Sequence, residues 1–205
     1  MVHEIWQCPD GATAALVLAH GAGAGMRHRS MQALADAFAA HGVATLRFDF
    51  PFIAEGRRRV DPPAVATASI VAAFRSAESR TALPLWLGGH SFGGRMASHA
   101  VLGGEIAPRG LVFCSFPLHA AGKPGTERAR HLGAIHLPML FLSGTRDALA
   151  TPPLLQPLVR SLPAAKLHWI ESADHGYRVP KRVRPDGSSV FDEMARETRA
   201  FVAVR

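Results

Sequence analysis

In the segment WLGGHSFGGRMASHA, residues 86–100, Ser91 stands between Gly89 and Gly93, with further glycines at 88 and 94. The spacing G-x-S-x-G suits a serine on a sharp strand-to-helix turn, its backbone crowded and its hydroxyl exposed. A free hydroxyl is a poor nucleophile. It attacks a carbonyl only when an imidazole takes its proton, and that imidazole needs a buried carboxylate to hold its tautomer. Glycine and serine are also ordinary turn residues, so the meaning of Ser91 depends on whether the chain supplies those partners.

The elements that must position such partners follow from the apolar pattern. Short apolar, β-branched or aromatic runs at 3–7, 14–20, 43–48, 84–89, 110–114, 138–144 and 166–170 read as strands. Helix-like stretches lie between them at 30–41, 63–78, 92–102, 152–161 and 188–204. This alternation predicts an α/β fold, a mostly parallel sheet of about seven strands flanked by helices. Two segments, 49–62 and 115–137, are too long for compact crossovers, and long loops in compact domains are often functional. No repeat, low-complexity tract or linker divides the chain, so residues 1–205 are expected to form one domain.

In open α/β sheets, sites form beyond the carboxyl ends of strands. Reading only those points selects His175, in ESADHGY after KLHWI, from eleven histidines. The same filter selects Asp147, in TRDAL after PMLFLSG. Ser91, Asp147, His175 is the chain order of an α/β-hydrolase triad. Taken singly, Asp147 also reads as a loop or capping residue and His175 as a surface histidine. Glu171 and Asp174 compete as carboxylates, but both lie on the histidine's own loop, and Asp174 is adjacent to it.

An oxyanion needs donors, commonly two backbone N–H groups. Phe92, after the nucleophile, is one candidate, and Ala22 in AHGAGAGM is the other, with Gly23 as its neighbour alternative. The rival reading of that loop as a phosphate cradle fails, because no G-K-[ST] follows and the spacing is not G-x-G-x-x-G. His20 reads as a structural residue orienting this loop, and alternation along the strand turns His90 away from Ser91. Phe50, Phe52, Phe116 and Leu118 follow strand ends and would either line an acyl pocket or pack as a lid on the core. His119 could line the same pocket. No metal-ligand spacing and no cofactor motif is present, so neither is expected.

The formal net charge of +7 raises nucleic acid as a partner. Most of that charge is arginine scattered singly, and the two clusters, GRRRV at 56–60 and YRVPKRVR at 177–184, lack interleaved aromatics. Nucleic-acid binding is therefore not expected. Arg178, Lys181 and Arg182 after His175, with Arg95 and Lys123, would make an electropositive pocket rim if they converge; otherwise they are solvated surface charges. No apolar run reaches the roughly 18 residues a membrane span needs. MVHEIWQCPD has no basic region leading into an apolar one, and Cys8 and Cys114 are too few for a disulfide framework or zinc site. The default expectation is a cytoplasmic protein that engages no membrane, with Cys114 a buried hydrophobe.

LAHGAGAGM, LRFDFPF, GGHSFGGRMAS, FPLHAAGKP, GTRD and ADHGY together resemble a family of small bacterial α/β-hydrolases akin to the dienelactone-hydrolase-like enzymes. That domain also occurs in a eukaryotic histone acetyltransferase complex subunit and a testis-expressed protein. The resemblance spans residues 14 to 203 and implies the Ser91–Asp147–His175 triad and a minimal cap, but no particular substrate. This chain departs from the family pattern at His90 and Phe92, where lysine and methionine are common, and at Ala148, where proline is. The functional expectation is a serine hydrolase cleaving a small ester or thioester through an acyl-enzyme on Ser91. The alternative is a non-catalytic module that keeps the fold for binding or scaffolding.

Overall fold

The apolar runs pair into one sheet. In the computed structural model, which describes residues 3–204, the strands are β1 (Glu4–Gln7), β2 (Ala14–Ala19), β3 (Val43–Phe48), β4 (Leu85–His90), β5 (Leu111–Cys114), β6 (Met139–Gly144) and β7 (Ala165–Ile170). Their order across the sheet is β1-β3-β2-β4-β5-β6-β7. β1 runs antiparallel to β3, and every other pair is parallel. Each residue of β2, β3, β5 and β6 is buried, as parallel strands covered on both faces must be.

Among the described residues six α-helices supply the cover: α1 (Arg29–Ala40), α2 (Pro51–Ala54), α3 (Pro63–Arg80), α4 (Phe92–Leu102), α5 (Pro152–Arg160) and α6 (Val190–Ala203). Apolar stripes at helical spacing decide which side of each faces inward. In α1, Met31, Leu34, Ala35 and Phe38 are buried, and Met31, Leu34 and Phe38 join Met194, Ala195, Phe201 and Val202 of α6 in one core layer. α3, α4 and α5 pack on the opposite face. Each fully buried phenylalanine, such as Phe38 or Phe74, contributes about 1.5–3 kcal/mol. The start of α6 is set by Ser189, whose hydroxyl accepts the Asp192 N–H, and by Asp192 and Glu193 at the positive end of the helix dipole.

The two long segments are not structureless. Residues 49–62 contain α2, and 115–137 contain a 3-10 helix at Glu127–Ala134. Neither element is long enough to show a period in sequence. A second 3-10 helix, Lys181–Val183, interrupts the loop before α6.

The strand order places the site. From β2 the chain crosses through α1 to β3 on one side; from β3 it crosses through α3 to β4 on the other. The carboxyl ends of β2 and β4 thus border the point where winding reverses, and a crevice opens there. The register brings Ala19 beside Gly89, and His90 beside Cys114, so the exits of three strands lie side by side.

At that crevice the turn from β4 into α4 is unusually tight. Ser91 has φ 52 and ψ −113, a conformation L-residues rarely adopt and one that costs of order 1–3 kcal/mol. The glycines make the approach possible: a Cβ on Gly93 would lie 2.5 Å from the His20 carbonyl oxygen and 2.6 Å from that of Ala19, and one on Gly89 would strike the Ala19 carbonyl. Gly93→Ala should therefore push α4 off β2 and lower stability by about 1–3 kcal/mol, measured as a shift in urea midpoint. Gly23→Ala, where an added Cβ meets nothing within 4 Å, should stay within about 0.5 kcal/mol of the parent.

Candidate active site

The turn after β4 presents Ser91, the loop after β6 presents Asp147, and the loop after β7 presents His175. The three form one hydrogen-bonded chain. His175 Nε2 is 2.8 Å from Ser91 Oγ, and His175 Nδ1 is 2.8 Å and 3.0 Å from the two oxygens of Asp147. An ionised carboxylate can only accept, so Nδ1 carries the proton and Nε2 is left to accept from the serine hydroxyl. Asp147 is fully buried, and its Oδ1 also accepts the Leu149 N–H at 2.8 Å, which fixes the carboxylate on its own loop.

The histidine loop is held by its backbone. Asp174 Oδ1 accepts the N–H groups of Gly176 and Arg178, both at 2.9 Å, closing a turn around His175. Tyr177, at φ 63, donates its hydroxyl to the Leu142 carbonyl at 2.8 Å and so anchors the loop to β6. Asp174 is thus a turn-former and Glu171 an exposed residue, which leaves Asp147 as the carboxylate on the imidazole.

His90 points away from Ser91, as alternation along β4 requires, but it meets another member of the chain. Its Nε2–H donates to the His175 carbonyl at 3.0 Å, and the two rings lie 5.4 Å apart. His20 is buried at the end of β2; its Nδ1–H donates to the Gly21 carbonyl, and its Nε2 accepts the Phe50 N–H at 3.0 Å. Asp49 adds a second tie by accepting the Met26 N–H at 2.7 Å. The glycine loop is thereby fastened at both ends to the segment after β3. Asp49 carries no signal in sequence beyond its place at a strand end.

Ala22, Ser91 and Phe92 all border a single cavity of about 830 Å³, within the range of small-molecule sites. The Phe92 N–H opens α4 and so has no intrahelical acceptor, and the Ala22 N–H makes no hydrogen bond among the described residues. Gly23 is exposed and does not border the cavity.

The remaining expected pocket residues lie elsewhere. Phe50, Phe52 and Phe116 are fully buried in the core, not on the cavity wall. Phe50 and Phe52 pack against Phe92 from behind, with ring centroids at 5.3 and 6.1 Å. Burying these rings wins over exposing them to an open crevice. His119 is 4% exposed, with Nδ1 bonded to its neighbour's carbonyl. Arg178 is exposed and does not border the cavity, and of the other basic candidates only Arg95 does. The walls come instead from the two long segments: Arg57, Arg59, Val60 and Asp61 from the first, Pro117 and Arg128 from the second. The cluster GRRRV was visible in sequence, but its destination was not.

Burial pushes the His90 imidazole from its ordinary 6.5 down to about 4, and burial beside His99 and Arg95 does the same to His131. Both stay neutral in the folded protein at pH values where the unfolded chain binds protons. Stability should therefore fall as pH is lowered from about 6.5 to 4. Urea midpoints across that range should show the decline, and it should be shallower in His90→Gln.

A family model described as an alpha/beta hydrolase domain matches residues 12–203. Among solved structures, an alpha-beta serine hydrolase homologue from Coxiella burnetii superposes with a TM-score of 0.75 at 18% identity, over 96% of this chain and 91% of that one. Est1E from Butyrivibrio proteoclasticus, solved with ferulic acid, gives 0.73 at 16% identity over 98% and 96%. Dienelactone hydrolase from Anabaena variabilis gives 0.72 at 17% identity over 99% and 91%. Similarity at this level of identity establishes the fold, and the family match extends across nearly the whole sheet and its helices. The chain belongs to the alpha/beta hydrolase domain family.

Proposed function

We propose that this protein is a serine hydrolase that cleaves a small ester or thioester through an acyl-enzyme on Ser91. The observation that carries this reading is the lone pair of His175 Nε2 standing 2.8 Å from Ser91 Oγ, with Nδ1 held by buried Asp147. As Oγ attacks the substrate carbonyl carbon, its proton passes to Nε2. The resulting imidazolium is stabilised by Asp147, which remains ionised. Negative charge gathers on the carbonyl oxygen, where the N–H groups of Phe92 and Ala22 are free to donate; one such donor is worth roughly 10²–10³ in kcat. Collapse breaks the bond to the leaving oxygen or sulfur, which takes the proton from Nε2. Water then attacks the acyl-serine by the same route, returning Oγ–H and releasing the acid. One structural neighbour is by its name a dienelactone hydrolase, an enzyme acting on a lactone, which is a cyclic ester.

Labelling with a fluorophosphonate probe tests the reading directly. Covalent capture at Ser91 is expected, and its absence on folded protein would favour a binding or scaffold role. Ser91→Ala should lower kcat on a p-nitrophenyl ester by about 10⁴- to 10⁶-fold, leaving the donors and the cavity to act alone. Asp147→Asn should keep the fold but favour the wrong tautomer of His175, costing about 10⁴ in kcat.

A further inference from the structure

The cavity beside Ser91 is lined by four arginines and one carboxylate. Two of the four charges are distinguished by what answers them. Arg57 is held by Asp61 and by Glu55, each at 2.6 Å, and these partners raise its pKa. Arg59 is exposed at the mouth. Arg95 and Arg128 are half-buried, both face the cavity, and neither has a carboxylate within 4.0 Å among the described residues. Burial first, and the charge of Arg128 second, lower the pKa of Arg95.

Their positions are built. Arg95 lies one helical turn after the nucleophile, its N–H bonded to the Ser91 carbonyl at 3.1 Å, so both side chains leave the same face of α4. Arg128 stands on the 3-10 helix and lines the same cavity, with Nη1 donating to the His119 carbonyl at 3.0 Å, which leaves most of its five donors unused. That helix is joined to α4 by the Ser98–His131 hydrogen bond at 2.7 Å and by stacking of His99 on His131 at 3.9 Å. Burial, with His99 and Arg95 beside it, pushes the His131 imidazole down to about 4, so this contact places no additional positive charge beside Arg95 at neutral pH. Val60, Pro62, Pro117 and Leu149 add apolar surface to the same cavity.

From this arrangement we infer that the cavity selects an ester or thioester with an anionic oxygen group, a carboxylate or phosphate, on a short apolar chain from the carbonyl, the anion received by Arg95 and Arg128. Two cations held together without counter-charge cost stability, and a bound anion relieves that cost while making charge-assisted, fork-shaped hydrogen bonds. Val60 and Leu149 would take the methylenes, and Ser91 would then stand at the carbonyl. This inference rests on the hydrolase reading for turnover, but not for binding.

The test uses two esters of matched length, mono-p-nitrophenyl adipate and p-nitrophenyl hexanoate. The wild-type protein should favour the adipate in kcat/KM by about 10- to 100-fold, the scale of one or two hydrogen bonds to a charged group. Arg95→Gln and Arg128→Gln should each remove most of that ratio, and Arg182→Gln, outside the cavity, should leave it intact. Competition by hexyl phosphate against hexanoate identifies which anion is preferred. Affinity of the same esters for Ser91→Ala protein is measured in parallel. Preferential binding of the adipate, lost with Arg95, would uphold the anion site even if no ester were turned over, in which case only the hydrolase reading fails. Turnover of both esters at equal rates, with equal binding, would overturn the anion site and leave the hydrolase reading standing.

Discussion

The close approach of α4 to β2 is the constraint on which the rest of this site depends. Gly93 lies against the carbonyls of Ala19 and His20, and Gly89 against that of Ala19, so no side chain fits on either flank of the turn. The chain reverses within one residue, and Ser91 takes the strained φ of 52. Strain of this kind persists only where the surroundings over-determine it. Here the Ser91 N–H bonds to the Cys114 carbonyl and the Ser91 carbonyl accepts from Arg95, which pins the residue between β5 and α4. The hydroxyl is thereby held out over the crevice, at the start of a helix whose first N–H groups are free.

Three histidines surround this turn, and their hydrogen-bond partners separate their roles. His20 spends both ring nitrogens on backbone, tying the glycine loop to the segment after β3. His90 donates to the carbonyl of His175 and sets the height of that residue's backbone. Only His175 keeps an unprotonated nitrogen toward the serine, because a buried carboxylate claims the other. Burial lowers the pKa of both His20 and His90, to about 4 for His90, and so disfavours a positive charge on either ring beside His175.

Structures with 15–18% identity to this chain share its sheet and helices, since buried strands and amphipathic helices require only apolar residues in the right period. What varies freely on such a frame is the set of loops beyond the strand ends. In this protein those loops are the segments 49–62 and 115–137, and they supply most of the cavity wall and three of its four arginines.

The periods and punctuation of the sequence determined the seven strands, the five longer helices and the three strand exits at which Ser91, Asp147 and His175 stand. These features are local: alternation, helical stripes and a glycine pair are written in neighbouring residues. G-x-S-x-G likewise announced the turn, because only glycine tolerates that backbone crowding. The cavity wall was not legible, since α2 and the 3-10 helix at Glu127–Ala134 are too short to show a period, and a loop's direction depends on what it packs against. Phe50, Phe52 and Phe116 follow strand ends, which in sequence left a ligand wall and packing on the core equally open, and the tertiary structure turned them inward where burial is favourable. The same folding brought Arg128 to the cavity that Arg95 lines, 33 residues away in the chain, with no carboxylate within 4.0 Å of either among the described residues. Which charges meet, and which are left unpaired, is a property of the packed chain, because Coulomb interactions depend on distance in space and on burial, not on order in sequence.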